Sequence, residues 1–233
     1  MRSFFSFLFF LSMLSVGCNS SKDQQYEGNP ESLYFDYQLS AKEGDDKLTV
    51  MLQYRAGGEQ GDAVAIGEIG TVELDGLPVP VDSTRKSGFF YETHQPLVSF
   101  TGKHFIVFRT TAEKAYKEEF EFKPMLLNSA LADTIRKNEY DSDPMMIELE
   151  GVGPEEILTV LLTDTSMNNG VSRLDTVRDG KLLLTGDDFK NLSPGPVQLE
   201  LIREYTRQLS NSTETGGRLL ISYSLKREFV LKG

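Results

Sequence analysis

The residue of this 233-residue chain with the most distinctive chemistry is Cys18, because it is the only cysteine. It cannot form a disulfide within the chain, and a free thiol in an exported protein would be open to oxidation. Export is indicated by Arg2 followed by an uncharged, largely apolar stretch over residues 4–17. As a helix this stretch would span about 21 Å, which is too short for a bilayer core of about 30 Å, so we predict a cleaved signal.

The residues around Cys18 resemble a bacterial lipobox, the site at which signal peptidase II cuts before an acylated cysteine. The run is Ser15-Val-Gly-Cys18. The resemblance implies a signal peptide of residues 1–17 and attachment to a membrane through lipid on Cys18. Lys22-Asp23 resembles the short charged signals of Bacteroidetes-type lipoproteins, which implies the outer membrane and leaves the leaflet open. Residues 18–30 are polar and turn-rich, so we predict a flexible tether.

Beyond Cys18, few side chains point to catalysis or metal binding. His94 and His104 are the only bases that titrate near neutral pH, and two ligands do not make a metal site without a third. We therefore interpret both as partly exposed surface residues. Asp141 and Asp143 are candidate ligands for Ca²⁺, although turn formation explains loop aspartates equally well.

The sequence contains none of the common catalytic signatures, such as Gly-x-Ser-x-Gly, a Walker loop or His-Glu-x-x-His. We therefore expect a non-enzyme without a cofactor. A hydrolase that uses two of the many carboxylates remains the alternative. Glycan binding usually needs flat aromatic surfaces, and Trp is absent, so Tyr34, Tyr91 and Tyr205 are the candidates, with sheet packing as the other interpretation.

Three segments resemble the short Asp-Ser/Thr sites at which Bacteroidetes-type bacteria O-glycosylate exported proteins. They contain Ser83, Thr134 and Thr176, each directly after an aspartate. The resemblance implies that one or more of these hydroxyls carries a glycan.

The charge of the chain excludes one class of partner. The formal net charge is −11, and it becomes −12 without residues 1–17, which contain Arg2 and no acid. A strongly acidic chain is a poor match for nucleic acid and for anionic lipid. We expect no nucleic-acid partner.

The elements that must position these residues are β-strands, because apolar and polar residues alternate along most of the chain. Clear examples are 33–39, 48–54 and 219–225. Such alternation is typical of antiparallel strands with one buried face. Asp75-Gly76 and Asp179-Gly180 are typical hairpin turns, so the pattern predicts an all-β sandwich fold.

The two halves of the chain repeat one local pattern: an apolar residue, then a glycine, then an alternating strand. Gly102 and Gly195 occupy equivalent positions. This pattern resembles the entry to a late strand in immunoglobulin-like (Ig-like) and fibronectin type III domains. The resemblance implies two tandem antiparallel β-sandwich domains, which we place at 31–124 and 125–233.

Two segments of the predicted second domain are less regular. Residues 126–137 fit either a short amphipathic helix or the first strand of the second domain. Residues 187–192 are predicted to form one helical turn that buries Phe189 and Leu192 under the sheet.

Together these patterns predict a non-catalytic lipoprotein of the cell envelope that binds a protein or a polysaccharide. A lipid-anchored hydrolase of cell wall or glycans is the alternative from another class, and a purely structural envelope component is the third.

Overall fold

The structure is a computed structural model that describes residues 25–84, 86–165 and 170–233. Most of these residues form β-strands, which confirms the predicted all-β sandwich class. The predicted signal peptide and Cys18 lie outside the described residues. Within the described ranges, no helix has the length and apolar character needed to cross a membrane.

The first half of the chain folds into a two-sheet sandwich that we call sandwich 1. Its strands are β1 (Leu33–Lys42), β2 (Lys47–Ala56), β3 (Asp62–Ala63), β4 (Gly70–Leu74), β5 (Leu77–Pro78), β6 (Val81–Thr84), β7 (Gly88–Pro96), β8 (Gly102–Thr110) and β9 (Ala115–Phe122). Short 3₁₀ turns occupy Pro30–Ser32, Gly67–Ile69 and Leu97–Ser99. One sheet has the order β1-β2-β7-β6 and the other β5-β4-β8-β9, which is an Ig-like arrangement.

The second half forms another two-sheet sandwich, which we call sandwich 2. Its elements are β10 (Leu126–Leu127), β11 (Thr134–Arg136), β12 (Met145–Glu150), β13 (Ile157–Asp164), β14 (Gly170–Thr176), β15 (Lys181–Leu184), helix α1 (Gly186–Phe189), β16 (Gly195–Gln208) and β17 (Gly217–Lys232). One sheet has the order β10-β12-β15, and the other has the order β14-β13-β16-β17 with β11 also paired to β17.

The local predictions for turns and strand entries are confirmed. Asp75 and Gly76 both have positive φ, at 51° and 81°, and Asp179 and Gly180 repeat this at 50° and 73°. Two successive positive φ angles define the type I′ turn that matches the twist of a hairpin. The equivalent glycines also take equivalent places, since Gly102 begins β8 and Gly195 begins β16.

The structure also shows which secondary structure the two irregular segments form. Residues 126–137 include the short strands β10 and β11, so the strand interpretation holds and the helix interpretation does not. The predicted helical turn is α1, and both Phe189 and Leu192 are buried beneath the sheet.

One long hairpin joins the two sandwiches. Strand β17 is paired with β16 along its whole length, and its first half, Gly217–Ser224, also pairs in parallel with β1 of sandwich 1. The sheets of the two sandwiches thereby become one sheet with ten strands in the described ranges. The predicted ranges 31–124 and 125–233 therefore share a sheet, because residues 217–224 of the second range complete the sheet of the first.

The predicted tether also reaches into the folded part. Of residues 18–30, those from Gln25 onward are described, and Gln25 forms a parallel bridge with Ala65. The Tyr26 amide donates to the Ala65 carbonyl at 2.8 Å. Residues 25 and 26 of the predicted flexible segment are thus held against sandwich 1, since their backbone groups find partners there.

Candidate binding cleft between the sandwiches

Strand β16 changes character where it leaves sandwich 2. Val197, Leu199 and Leu201 are buried on one face of the strand. Arg203, Tyr205 and Arg207 continue the same face, because side chains in a strand alternate with a period of two. This second half of β16 runs past β9 of sandwich 1, so its larger polar side chains meet an open strand edge instead of a core.

Strand β9 is the edge strand of its sheet. Its register with β8 shows which of its backbone N–H and C=O groups have no strand partner. The Asp75 amide donates to the Phe105 carbonyl, so the backbone groups of Phe105 face β4. Because these groups alternate in direction along an antiparallel strand, the odd-numbered residues of β8 form hydrogen bonds with β4 and the even-numbered residues form them with β9. The even residues of β9 therefore bond β8. The N–H and C=O groups of Glu119 and Glu121 point to the open edge.

Two arginine side chains of β16 form hydrogen bonds with backbone carbonyls at and just after this edge strand. The Arg207 guanidinium donates to the Glu119 carbonyl at 2.7 Å. Arg203 donates to the carbonyl of Lys123 and, at 2.7 Å, to that of Gly151. Burial lowers the pKa of Arg203, and its two carbonyl partners offset the loss of hydration. The side chains of β16 thus replace a strand neighbour for β9, and Tyr205 falls between the two arginines.

A buried carboxylate holds the end of the hairpin in place. Glu118 is 1% exposed on the inner face of β9 and pairs with the Arg207 guanidinium. The same carboxylate accepts from the amide of Ser210 at 2.8 Å and from that of Asn211 at 3.2 Å. Burial of a carboxylate is costly unless it has such partners. Glu118 therefore fixes both β16 and the loop that follows it.

The space between these attachments is an open cleft of about 540 Å³. Residues of both sandwiches line it, namely Lys103, His104, Phe105, Glu119, Phe120, Glu121, Tyr205, Arg207 and Ile221. Phe120 and Ile221 are each 5% exposed and supply an apolar floor. Tyr205 is 48% exposed, which leaves an aromatic ring available to a ligand. We call this space the junction cleft.

The two histidines do not come together. His104 stacks on Phe100 with a centroid separation of 3.7 Å, and its Nδ1 lies 2.7 Å from Oδ2 of Asp75. His94 lies on β7 in the opposite sheet, with Nδ1 3.2 Å from the Thr49 hydroxyl. His104 is therefore a fixed wall residue of the junction cleft, and its side chain is only 12% exposed.

The three candidate tyrosines also differ in position. Tyr34 and Tyr91 are 5% and 7% exposed, and the Tyr91 hydroxyl accepts from the Ile66 amide at 3.1 Å. Those two rings serve packing. Tyr205 is the candidate that the structure leaves exposed beside a cleft.

Two carboxylates line the junction cleft, but both come from one strand. Glu119 and Glu121 are two residues apart on β9, on the face opposite to the buried Phe120. Glycosidases place their two carboxylates on either side of the scissile bond, and one of them needs a raised pKa. Here the Lys117 ammonium donates to Glu119 at 2.6 Å and lowers the pKa of Glu119.

The remaining sequence candidates lie away from the junction cleft. Asp141 and Asp143 are exposed in the loop before β12, and Asp141 lines a separate cavity with Lys137 and Lys190. Among the described residues no group of three or more His, Cys, Asp or Glu side chains is placed to hold a metal ion. The Ca²⁺ site stays a prediction.

The three O-glycosylation candidates are spread over the surface. Ser83 on β6 and Thr134 on β11 are exposed, whereas Thr176 at the end of β14 is half-buried. Modification of these hydroxyls stays a prediction.

Sequence reasoning missed two features of the junction cleft that leave a signal in the chain. Glu118 is a carboxylate on the buried face of a strand whose other inner residues are aromatic, Tyr116, Phe120 and Phe122. Arg203 and Arg207 follow an apolar stripe on the same face of β16. A charged residue in the register of a buried stripe indicates a strand that leaves its own core or a buried ion pair.

Comparisons with known proteins give no family. No protein-family model matches the chain, and no curated protein matches it. Among solved structures, a tetra-tandem repeat in the extending region of a large adhesion protein is similar at 15% identity. The match covers 84% of this chain and 49% of that one, with a TM-score of 0.28.

Two further structures are similar at the same low level. The Bacteroides ovatus mixed-linkage glucan utilization locus protein SGBP-B, in complex with a mixed-linkage heptasaccharide, is 13% identical over 85% of this chain and 45% of its own, with a TM-score of 0.23. The domains IG1+IG2 of DIP-gamma are 11% identical over 82% and 94%, also with a TM-score of 0.23. This chain spans about half of the adhesion repeat and of SGBP-B. Such TM-scores carry no argument about function.

Proposed function

We propose that this chain is a lipid-anchored, non-catalytic binding module of the bacterial cell envelope, and that it holds a saccharide unit of an envelope polymer in the junction cleft. The observation that carries the binding site is the half-exposed ring of Tyr205 beside a cleft of about 540 Å³. Attachment through Cys18 at the outer membrane rests on the signal and lipobox pattern of the sequence.

The junction cleft has the size and composition of a small-ligand site. Cavities that bind small ligands are usually 300–1,000 Å³ in volume and combine apolar walls with a few polar groups. Tyr205, Phe120 and Ile221 supply the apolar surface, and a sugar ring can place its C–H face on an exposed aromatic ring. The open backbone groups of Glu121 on the edge of β9 supply a hydrogen-bond donor and an acceptor for hydroxyl groups.

Binding is favoured over hydrolysis by the arrangement of the acids. Glu119 and Glu121 stand on one face of one strand, so they do not flank a bond held between β9 and β16. The lowered pKa of Glu119 is the opposite of what a general acid requires. A lipid-anchored hydrolase therefore has no residue pair in the junction cleft to support it.

A glycan array probed with the purified, full lipidated chain tests the binding site. The array should hold soluble peptidoglycan fragments and oligosaccharides of bacterial surface polymers. We expect retention of one saccharide class, with affinity reduced at least about fivefold by Tyr205→Ala, because truncation of a central aromatic contact typically costs more than about 1 kcal/mol. Leu174→Ala, which removes an exposed side chain of sandwich 2, is the matched control and should leave binding unchanged.

Two further results would contradict the proposal. Equal binding by the Tyr205→Ala variant would remove the junction cleft as the site, and release of shortened saccharide by the unchanged chain would favour the hydrolase. The anchor is tested separately by mass spectrometry of the membrane fraction. Cys18→Ala should lose the acyl mass and leave that fraction, and retention of the variant there would contradict lipidation.

A further inference from the structure

The first described residues fix the direction from which the N-terminal segment reaches the fold. We call the end of sandwich 1 at which β1 begins the basal end. Strand β3 runs antiparallel to β2 away from this end, and Gln25 forms a parallel bridge with Ala65, which follows β3. Because the bridge is parallel, the chain runs away from the basal end from Gln25 to Tyr26, so Gln25 is the nearer of the two to that end.

The length of chain before Gln25 limits how far a lipid on Cys18 can lie from the fold. Seven residue steps separate Cys18 from Gln25. An extended chain covers at most about 3.3–3.6 Å per residue, so the steps span no more than about 25 Å. The predicted tether of residues 18–30 is effectively shorter than its length in residues, because Gln25 and Tyr26 are bonded to Ala65.

The loop between β16 and β17 lies at the same end, although it belongs to the last part of the chain. The Thr213 hydroxyl donates to the Leu33 carbonyl at 2.5 Å, and the Phe35 amide donates to the Gly216 carbonyl at 3.2 Å. Nearby, Lys114 pairs with Glu31 at 2.8 Å. The basal end is thus built from the N-terminal segment, the β8–β9 turn and the tip of the long hairpin.

The length of strand β17 gives the distance from the basal end to the far part of sandwich 2, because the strand runs through both sandwiches. It runs from Gly217, opposite Phe35, to Lys232, opposite Arg136 in sandwich 2. Its residues rise about 3.3 Å each, so Lys232 lies about 50 Å farther along the strand than Gly217. Ile221 in the junction cleft is only about 13 Å along the same strand.

From this geometry we infer that the basal end, including the hairpin loop around Glu214, is the surface that faces the lipid headgroups. Sandwich 2 then points away from the membrane, and the junction cleft is held near the membrane surface. The inference rests on the proposed lipidation of Cys18. Its occupant is a lipid surface, because the short chain between Cys18 and Gln25 places the bilayer next to this end.

The charges at the basal end indicate that the covalent anchor, and not electrostatic attraction, holds it at the membrane. Among the described residues of this end, the exposed acids outnumber the exposed bases. The acids are Glu27, Glu59, Asp62, Glu68, Glu113 and Glu214, and the bases are Lys86, Arg109 and Lys114. Anionic lipid attracts polybasic segments and repels an acidic surface. Attachment should therefore not increase when anionic lipid is added.

Energy transfer to labelled vesicles tests this orientation. The lipidated full chain is reconstituted in phosphatidylcholine vesicles that carry acceptor dye on their headgroups. Acylation occupies the single native cysteine, so Glu214→Cys and Lys232→Cys each provide one reactive thiol for the donor dye. We expect several-fold higher transfer from position 214 than from position 232. Replacing part of the phosphatidylcholine with phosphatidylglycerol should not increase the bound fraction.

Each other outcome contradicts a defined part of the proposal. If the chain floats with the vesicles but energy transfer is equal from both positions, or higher from position 232, the orientation is wrong and the anchor is right. Failure of the unchanged chain to float with the vesicles would overturn the anchor and this inference with it. Glu59→Cys is a second basal label in case position 214 disturbs the loop, and circular dichroism of each variant confirms folding.

Discussion

Both halves of the chain form two-sheet sandwiches, and they differ in how each sandwich is completed. Sandwich 2 is closed by its own strands, with β16 and β17 in the middle of its larger sheet. Sandwich 1 ends on one side at the open edge of β9, and on the other side β1 is paired with β17 from the second half. Sandwich 1 therefore depends on a strand from the second half of the chain to complete its sheet. The junction cleft lies where sandwich 1 meets the β16–β17 hairpin.

The cores of the two sandwiches also differ, in the kind of side chain that fills them. Sandwich 1 is packed around aromatic rings, and Phe35 lies 5.2 Å from Tyr54 and 5.4 Å from Phe108 between ring centroids. The core of sandwich 2 is mainly aliphatic, as in Val160 and Leu199. The difference also provides a probe. Of the nine tyrosines, only Tyr140 lies outside both sandwich 1 with its N-terminal segment and the hairpin, so near-UV tyrosine dichroism monitors sandwich 1.

The largest effect is expected from Glu118→Ala, which removes the buried carboxylate that fixes the hairpin to sandwich 1. Breaking such a pair leaves Arg207 and two amides without their acceptor, so we expect a loss of about 3 kcal/mol in the free energy of unfolding. Denaturant unfolding followed by near-UV dichroism should show the loss. Glu121→Ala, an exposed residue of the same strand, is the control and should change stability by less than about 0.5 kcal/mol.

A smaller effect is expected from Gly151→Ala in the β12–β13 loop of sandwich 2, which packs against Pro124 where the chain passes from one sandwich to the other. Gly151 has a φ of 79°, and a Cβ there would lie 2.0 Å from the Pro124 carbonyl oxygen. Strain at positive φ and this collision should together cost about 2 kcal/mol. Gly153→Ala provides the matched control, because its Cβ would meet nothing closer than 3.7 Å. Equal stability of the two variants in denaturant unfolding would mean that the β12–β13 loop does not pack against Pro124 in this way.

The smallest effect is expected from Thr213→Val at the hairpin loop. The change removes the hydrogen bond from the Thr213 hydroxyl to the Leu33 carbonyl and the longer one from the Thr215 amide to that hydroxyl, and the loss of the shorter bond costs about 1 kcal/mol. Thr206→Val, at an exposed position of β16, is the control. Thermal unfolding should separate the two variants, and an unchanged melting temperature for Thr213→Val would show that this contact does not hold the loop.

Local features of the fold could be predicted from the sequence, because each depends on a few neighbouring residues. Alternation gave the strands, Asp-Gly pairs gave the type I′ turns, and the burial of Phe189 followed from its place in a helical turn. The pairing of β1 with β17 could not be predicted. Its apolar stripe over 219–225 is equally compatible with a strand that stays within sandwich 2.

The candidate site was only partly predictable for the same reason. Tyr205 was one of three tyrosines proposed for glycan binding, and nothing in its own neighbourhood separates it from Tyr34 or Tyr91. Its exposure follows from the path of β16 beyond sandwich 2, which is a long-range property. The acid on the buried face of β9 was the available signal that another part of the chain meets this strand.

The central claim is that the long hairpin makes the two sandwiches one body and so shapes the junction cleft. Double electron–electron resonance between spin labels at Val98→Cys and Leu174→Cys tests it most directly, in a chain that also carries Cys18→Ser to remove the native thiol. These exposed positions lie in sandwich 1 and sandwich 2, outside the hairpin. We predict a single narrow distance distribution that broadens with Glu118→Ala. A broad or double distribution in the chain with an intact Glu118 would contradict the claim.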